Sequence, residues 1–298
     1  MKKITAALFF MLFVPLFLLA QATVADSADS ADSVANDFFA NAITDYIDYS
    51  RKLSFNLFIF SSNLEGKMAV GDKGNPTAKP AQLISLDNNL KFDDELSFGI
   101  GLNWQYAGRT SLDIKYSEFE HKSLLAMART FKGKSFKANS NFEVKNRWLD
   151  IAFAKKLYRT EKDVVDHFNL QAVAGIKTAN IIITARGEES GTTDKHLYAG
   201  WEKTFPMPYV GFNGNIRLGR SVLLKGHCLY GTFPTFDDYS ADHYDLGVNL
   251  VFDLHQKEHG NLVQLDLGYR ALEYDVDGHG NGVLMRFSGP VAYCNIIF

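Results

Sequence analysis

Cysteine is nearly absent from this sequence: Cys228 and Cys294 are the two in 298 residues. That is too few for a disulfide framework. They fall on segments that the alternation of polarity reads as non-adjacent strands, so two free thiols are expected. Long apolar runs are also scarce. One spans residues 4–20, and no later segment offers the ~18 uninterrupted apolar residues of a membrane helix, which excludes a helical bundle in a bilayer. Basic charge is not in excess either. Removing Lys2 and Lys3 with the N-terminal segment leaves 29 of the 31 Lys and Arg against 34 Asp and Glu, a net charge of −5. A nucleic-acid partner would favour a basic face, so none is expected.

What is present begins with Met1-Lys2-Lys3, a basic start to the apolar run, which carries Pro15 and ends in Ala20-Gln21-Ala22, a small-x-small cleavage site. Residues 1–22 are expected to be a secretory signal peptide, with Ala25 as a second cleavage choice. No cysteine stands at the cleavage point, which argues against a lipoprotein. Residues 23–37, dominated by an Ala-Asp-Ser repeat, have almost nothing to bury and are expected to be a disordered leader. At 38–51 the character changes. Phe39, Ile43, Tyr46 and Ile47 recur at helical spacing, with Asp37 available as an N-cap. They predict a short amphipathic helix on the inner leaflet or under the mouth of a barrel.

From residue 52 to 298 a period of two takes over. Phe98, Ile100, Leu102, Trp104 and Tyr106 alternate with Ser97, Gly99, Gly101, Asn103 and Gln105; Val263, Leu265, Leu267 and Tyr269 alternate with Gln264, Asp266, Gly268 and Arg270. A soluble sandwich gives the same alternation with its sides exchanged, so alternation alone leaves both architectures open. Three features favour a transmembrane barrel. Aromatics (Trp104, Tyr106, Tyr116, Tyr230, Tyr269) end the apolar stripes as girdles would. The strands exceed the usual globular length. Tight turns near 107–109, 159–163, 219–220 and 255–260 alternate with longer links near 72–95, 131–136, 187–195, 233–241 and 275–282.

The pairing predicts an all-β, antiparallel transmembrane β-barrel of about ten strands, both termini at one end. The expected spans are 53–71, 96–107, 110–130, 136–158, 166–186, 196–218, 221–232, 242–254, 261–274 and 283–298. Pro206 and Pro208 cannot donate to a ladder and predict a bulge or break in the sixth. A short helical turn is expected within 82–94. Several strands exceed the ~9–11 residues that cross a bilayer, so the barrel is expected to project beyond it.

The chain ends abruptly on Phe298. Counting back by twos gives Ile296, Cys294, Ala292 and Pro290, an uncharged stripe suited to lipid. A last strand closing on Phe298, with Ile296 before it, looks like the signal read by the barrel-insertion machinery of bacterial outer membranes. The chain resembles a group of small bacterial outer-membrane β-barrels without an assigned activity. The likeness lies in 55–71 with its acidic first loop, in the hairpin 123–157 around Phe131-Lys132-Gly133-Lys134-Ser135-Phe136, and in Leu267-Gly268-Tyr269-Arg270 leading to Ser288-Gly289-Pro290 and Phe298. It covers most of the mature chain and implies fold and location only. Export through the inner membrane by a cleaved signal peptide is implied, with outer-membrane lipids and lipopolysaccharide as surroundings.

Candidate chemistry is thin. His255-Gln256-Lys257-Glu258-His259 matches a zinc-hydrolase string, but that chemistry needs both histidines on one helical face and the string sits in a turn between strands. Asp277-Gly278-His279 suggests a general base oriented by an acid, as in omptin-like proteases, but lies among glycines without a second acid pair. Asp242-His243 at a strand rim is similar. His121-Lys122-Ser123 evokes a lipid A hydrolase with no oriented acid in view. No metal, cofactor or catalytic residue is expected.

Inward charges make the stronger pattern: Asp113, Lys115, Asp150, Lys177, Arg217, Lys225, His227, Asp245, Asp253, Asp266 and Arg270 are all predicted to face the lumen. A barrel of about ten strands is far narrower than those that leave an aqueous channel. Opposite charges there are expected to pair and hold the lumen closed. The function expected is therefore non-enzymatic: a scaffold, a surface binder or a narrow or closed channel. An outer-membrane hydrolase and a soluble β-sandwich carrier of an apolar ligand are the alternatives, and the oligomeric state stays open.

Overall fold

The computed structural model describes residues 52–72, 81–90, 92, 95–107, 110–159, 168–191, 196–219, 221–236, 239–256, 262–278 and 281–298. The expected signal peptide, leader and amphipathic helix lie outside the described residues. Ten long antiparallel strands form one sheet: β1 (Lys52–Ala69), β3 (Glu95–Ala107), β4 (Thr110–Leu124), β7 (Asn141–Arg159), β8 (Phe168–Glu188), β9 (His196–Gly219), β10 (Val222–Phe236), β11 (Tyr239–Gln256), β12 (Leu262–Gly278) and β13 (Asn281–Ile297). Each pairs with the next, and β13 returns to pair with β1, from Ser54↔Ile297 to Ala69↔Gly282. The sheet therefore closes on itself, which rules out the sandwich. Three short strands, β2 (Ile84–Ser85), β5 (Arg129–Phe131) and β6 (Lys134–Phe136), sit at the end away from Lys52 and Phe298.

Alternate residues face in and out along every long strand, and polarity inverts partway along the barrel. On β1 the outward Leu53, Phe55, Leu57 and Ile59 give way to outward Ser61, Asn63, Glu65 and Lys67, while inward Ser54 and Asn56 give way to Phe58, Phe60, Leu64 and Met68. On β12 outward Leu265, Leu267 and Tyr269 are followed by Glu273 and Asp275, and inward Asp266 and Arg270 by Leu272, Tyr274 and Val276. The half nearer the termini is thus apolar outside and polar inside, the arrangement of a lipid-embedded barrel. The loop half is polar outside and apolar inside, the arrangement of a water-soluble one.

Tyrosines mark the border. Tyr116 donates to Glu118 (3.4 Å) and Tyr230 to Asp242 (3.3 Å), each ring on the apolar side and its acid on the polar side. Beyond the border, opposite charges face each other across β4 and β7: Glu118 pairs with Arg147 (3.1 Å) and Glu120 with Lys145 (3.1 Å), the sheet equivalent of a charge zipper.

The loop end is capped. Asn89 donates its backbone NH to Ser85 O (2.9 Å), closing the helical turn expected within 82–94. Residues 131–136, expected as a longer link, and 129–130, expected to end the third strand, do not extend β4 or β7. They form a separate hairpin whose turn residues Lys132 and Gly133 both have positive φ, 52° and 72°, as a tight two-residue connection requires. The hairpin folds inward, burying Phe131 and Phe136 with Leu86, Leu90 and Leu125. Backbone bonds from Lys132 to Val70 O (2.8 Å) and from Ala126 to Asn89 O (2.8 Å) tie the cap to β1 and to the first loop.

At Pro206 and Pro208 the expected bulge is absent and the expected break falls on one side of β9: its ladder to β8 runs unshifted from Phe168↔Ile216 to Glu188↔His196. Its ladder to β10 ends at Gly231↔Tyr209. The two prolines stand two apart, so their nitrogens face the same neighbour, and β10 no longer pairs with β9 at their level. Link lengths also differ. β10–β11 and β12–β13 turn within two residues at the loop end, whereas β7–β8 is joined by eight at the other. Cys228 and Cys294 stand on β10 and β13 and are both free.

Candidate functional site in the lumen

The interior is layered. In the loop half Phe60, Phe119 and Phe287 pack at centroid separations of 5.5 and 5.3 Å, and Tyr274 joins Phe287 at 6.3 Å. His121, fully buried, lies between Phe92 and Phe287, its Nε2 2.9 Å from Ser62 O. Trp148 floors this core against Phe58 and Phe119.

Directly beneath Trp148 the interior becomes ionic. Lys177 Nζ and Arg270 Cζ each lie 5.2 Å from its ring centroid, so the indole supplies a cation–π face to both. Both cations converge on Asp245. Lys177 Nζ donates to Oδ2 at 2.6 Å, Arg270 donates through Nε to Oδ1 (2.9 Å) and through Nη2 to Oδ2 (2.6 Å), and His227 Nε2 lies 3.1 Å from Oδ1. Asp150 accepts from Tyr209 Oη at 2.6 Å and stands 4.0 Å from Lys177. A carboxylate bound in this way has its charge matched and its lone pairs used, the condition for keeping ions in a confined interior.

Toward the termini the wall is more open. Asp266 accepts from Asn295 (2.9 Å) and Lys225 (3.5 Å), and Asp113 accepts from Asn103 (2.9 Å) beside Lys115 at 3.9 Å. Asp253 accepts from Gln264 (2.8 Å), with Arg217 3.8 Å away. A cavity of about 350 Å³ runs from Asp245 to Ser54 and Ile297, at the end that carries the C-terminus. Asp113, Lys115, Asp150, Lys225, His227, Asp245, Asp266 and Arg270 line it. Lys177 is sealed above it, and Arg217 and Asp253 form their own pair. The eleven inward charges thus fall into one central cluster around Asp245 and three peripheral pairs. On the outer face of the last strand Pro290, Cys294 and Phe298 are exposed.

The enzyme candidates separate. Asp242 and His243 are consecutive, so they point to opposite faces of β11: Asp242 meets Tyr230 outside, whereas His243 is buried between Tyr209 and Tyr274. His121 belongs to the aromatic core. His279, and Lys257 to His259 of the zinc-like string, lie outside the described residues.

Sequence reasoning missed Trp148, Tyr209 and the apolar filling of the loop half. Their signal is the change of phase in the alternation, visible as Tyr269 is followed by Leu272, Tyr274 and Val276.

No family model matches the sequence, and no curated protein matches it significantly. Among solved structures the chain is similar to the outer membrane protease OmpT from Escherichia coli, with a TM-score of 0.50 and 12% identity over 83% of this chain and 96% of that one. The translocator domain of the autotransporter NalP from Neisseria meningitidis aligns with a TM-score of 0.37 and 11% identity, over 94% of this chain and 98% of that one. A Pseudomonas aeruginosa FadL homologue aligns at 0.32 and 7%, over 84% and 90%. At 12% identity the likeness to OmpT speaks for the fold: the chain has the closed antiparallel barrel architecture of outer-membrane proteins.

Proposed function

We propose that this chain is a bacterial outer-membrane β-barrel, exported by a cleaved signal peptide, that works without catalysis as a closed scaffold projecting its loop half from the cell. The carrying observation is the interior, where an aromatic core capped by Phe131 and Phe136 stands over the Asp245 ion cluster. Ion conduction through it would need the aromatic core to part and the Asp245 pairs to break. The projecting half is polar outside, which suits it to meet water and surface partners rather than lipid. The apolar band would contact outer-membrane lipids and lipopolysaccharide, and Ile296 and Phe298 would serve the insertion machinery.

Fractionation with the outer membrane and heat-modifiable gel migration test the placement; recovery as a soluble periplasmic protein would sink it. A hydrolase is the second reading, and the OmpT-like fold is its support. The residues favour it less, since Asp242 and His243 face apart and His121 sits in the core. Peptidase assays and lipid A mass-shift assays on the purified barrel decide: turnover of either substrate overturns the non-enzymatic reading.

A further inference from the structure

We infer that the lumen cavity on the terminal side is a binding site for a small oxyanion, of the size of phosphate or a short dicarboxylate. The inference goes beyond the closed-scaffold reading and does not depend on it, since the cavity lies at the end that carries Ser54 and Ile297.

The charges that line the cavity nearly balance in number but not in exposure. Asp113, Asp150, Asp245 and Asp266 stand against Lys115, Lys225 and Arg270, with His227 beside them. The acids are withdrawn: the side chain of Asp245 is 1% exposed, Asp266 7%, Asp150 9% and Asp113 16%. Arg270, at 7%, is committed to Asp245. Lys115 and Lys225 are 36% and 33% exposed, and His227, two residues from Lys225 on the same face of β10, is 21% exposed. These three line the cavity, so the surface they show is lumen surface. A solute that enters therefore meets ammonium groups before carboxylates.

The acids are also satisfied at shorter range by other groups. Asp113 accepts from Asn103 at 2.9 Å, Asp266 from Asn295 at 2.9 Å and Asp150 from Tyr209 at 2.6 Å, while Asp245 holds Lys177 and Arg270. The two exposed lysines reach their acids only loosely. Lys115 Nζ stands 3.9 Å from Asp113, outside hydrogen-bond range, and Lys225 Nζ is 3.5 Å from Asp266, at its limit. An ammonium group carries three N–H donors and no acceptor. Both lysines thus keep donors that no carboxylate among the described residues takes at short range.

That surplus sets the class of ligand. Charged donors bond most strongly to charged oxygens, and a phosphate or carboxylate can take N–H donors from both lysines while Asn103 and Asn295 go on holding the two acids. A neutral hydroxyl leaves the ammonium charge unanswered. A cation would have to compete with the lysines for carboxylates that are already withdrawn. A volume of about 350 Å³ is at the lower end of the ~300–1,000 Å³ typical of small-molecule sites, which suits one small ion.

Isothermal titration calorimetry on the detergent-solubilised full chain, at constant ionic strength, tests the site. Inorganic phosphate and succinate are the probes, with putrescine and D-glucose as cationic and neutral controls. The expected result is saturable binding of at least one probe in preference to both controls, and which probe binds tells a phosphate ligand from a carboxylate one. Lys115→Met and Lys225→Met should each weaken binding by about tenfold, the loss of one charged hydrogen bond. Lys225→Arg, which keeps the charge, should restore most of it, and Lys122→Met on the outer face should change nothing. Asn213→Trp narrows the same cavity without removing a charge and should also weaken binding. Heat-modifiable migration identifies the folded variants, and affinities are read from those alone. Saturable binding of neither probe, binding of putrescine or glucose as tight as that of the better probe, or undiminished affinity in folded Lys115→Met or Lys225→Met overturns the site.

Discussion

Lys177 Nζ lies 2.6 Å from Asp245 Oδ2, and neither side chain is more than 1% exposed. Arg270 reaches the same carboxylate, so one anion serves two permanent cations. Asp245→Ala should therefore strand Arg270 and leave Lys177 only Asp150 at 4.0 Å, whereas Arg270→Ala leaves Asp245 with Lys177. The expected loss is about 3–5 kcal/mol for Asp245→Ala and clearly less for Arg270→Ala. Urea unfolding followed by gel mobility measures the difference; equal losses, or no loss at Asp245, would contradict the shared-carboxylate account.

The aromatic core predicts a contrast between inside and outside. Phe287, fully buried against Phe119 and Tyr274, should cost about 3–5 kcal/mol when replaced by alanine. Phe98, outward and 64% exposed, packs on no such core, and its replacement should cost less in the same unfolding assay. A larger loss at Phe98 would mean that the loop half is not held by its filling.

Much of this barrel was legible in the chain. Alternation through Phe98–Tyr106 and Val263–Arg270, together with the turns that separate such runs, is enough for strands, number and inward charges, because a period of two fixes which side each residue takes. The hairpin at Arg129–Phe136 was not legible, since a short apolar-flanked turn reads equally as the tip of two long strands. The apolar plug was hidden for a different reason. Alternation gives relative sides, and only the one-residue change of phase at the tyrosine border tells that in and out have exchanged polarity. Asp245's central place was also out of reach, because Lys177, His227 and Arg270 come from three other strands, and side-chain convergence across a lumen leaves no mark in local spacing.

Outside the apolar band, Glu120 titrates low. Hydrogen bonds from Lys122 first, and from Lys145, pull its carboxyl from 4.5 down to about 2. A depressed carboxylate stabilises the fold above its unfolded value and loses that contribution as pH falls toward the folded one. Glu120→Gln should thus lower stability slightly at neutral pH, by less than about 1 kcal/mol because Glu120 is a third exposed, Lys122 two-thirds, and the pair is screened. The gap between wild type and variant should close as pH drops from about 4.5 to 2. A gap that widens on acidification would contradict the pairing.

The central claim is that the lumen does not conduct, because the Phe60–Phe119–Phe287 core and the Asp245 cluster close it in series. Planar-bilayer recording of the purified wild-type barrel tests this most directly. The account predicts no steady current above that of the bare bilayer, whereas a steady, ion-selective conductance would contradict it.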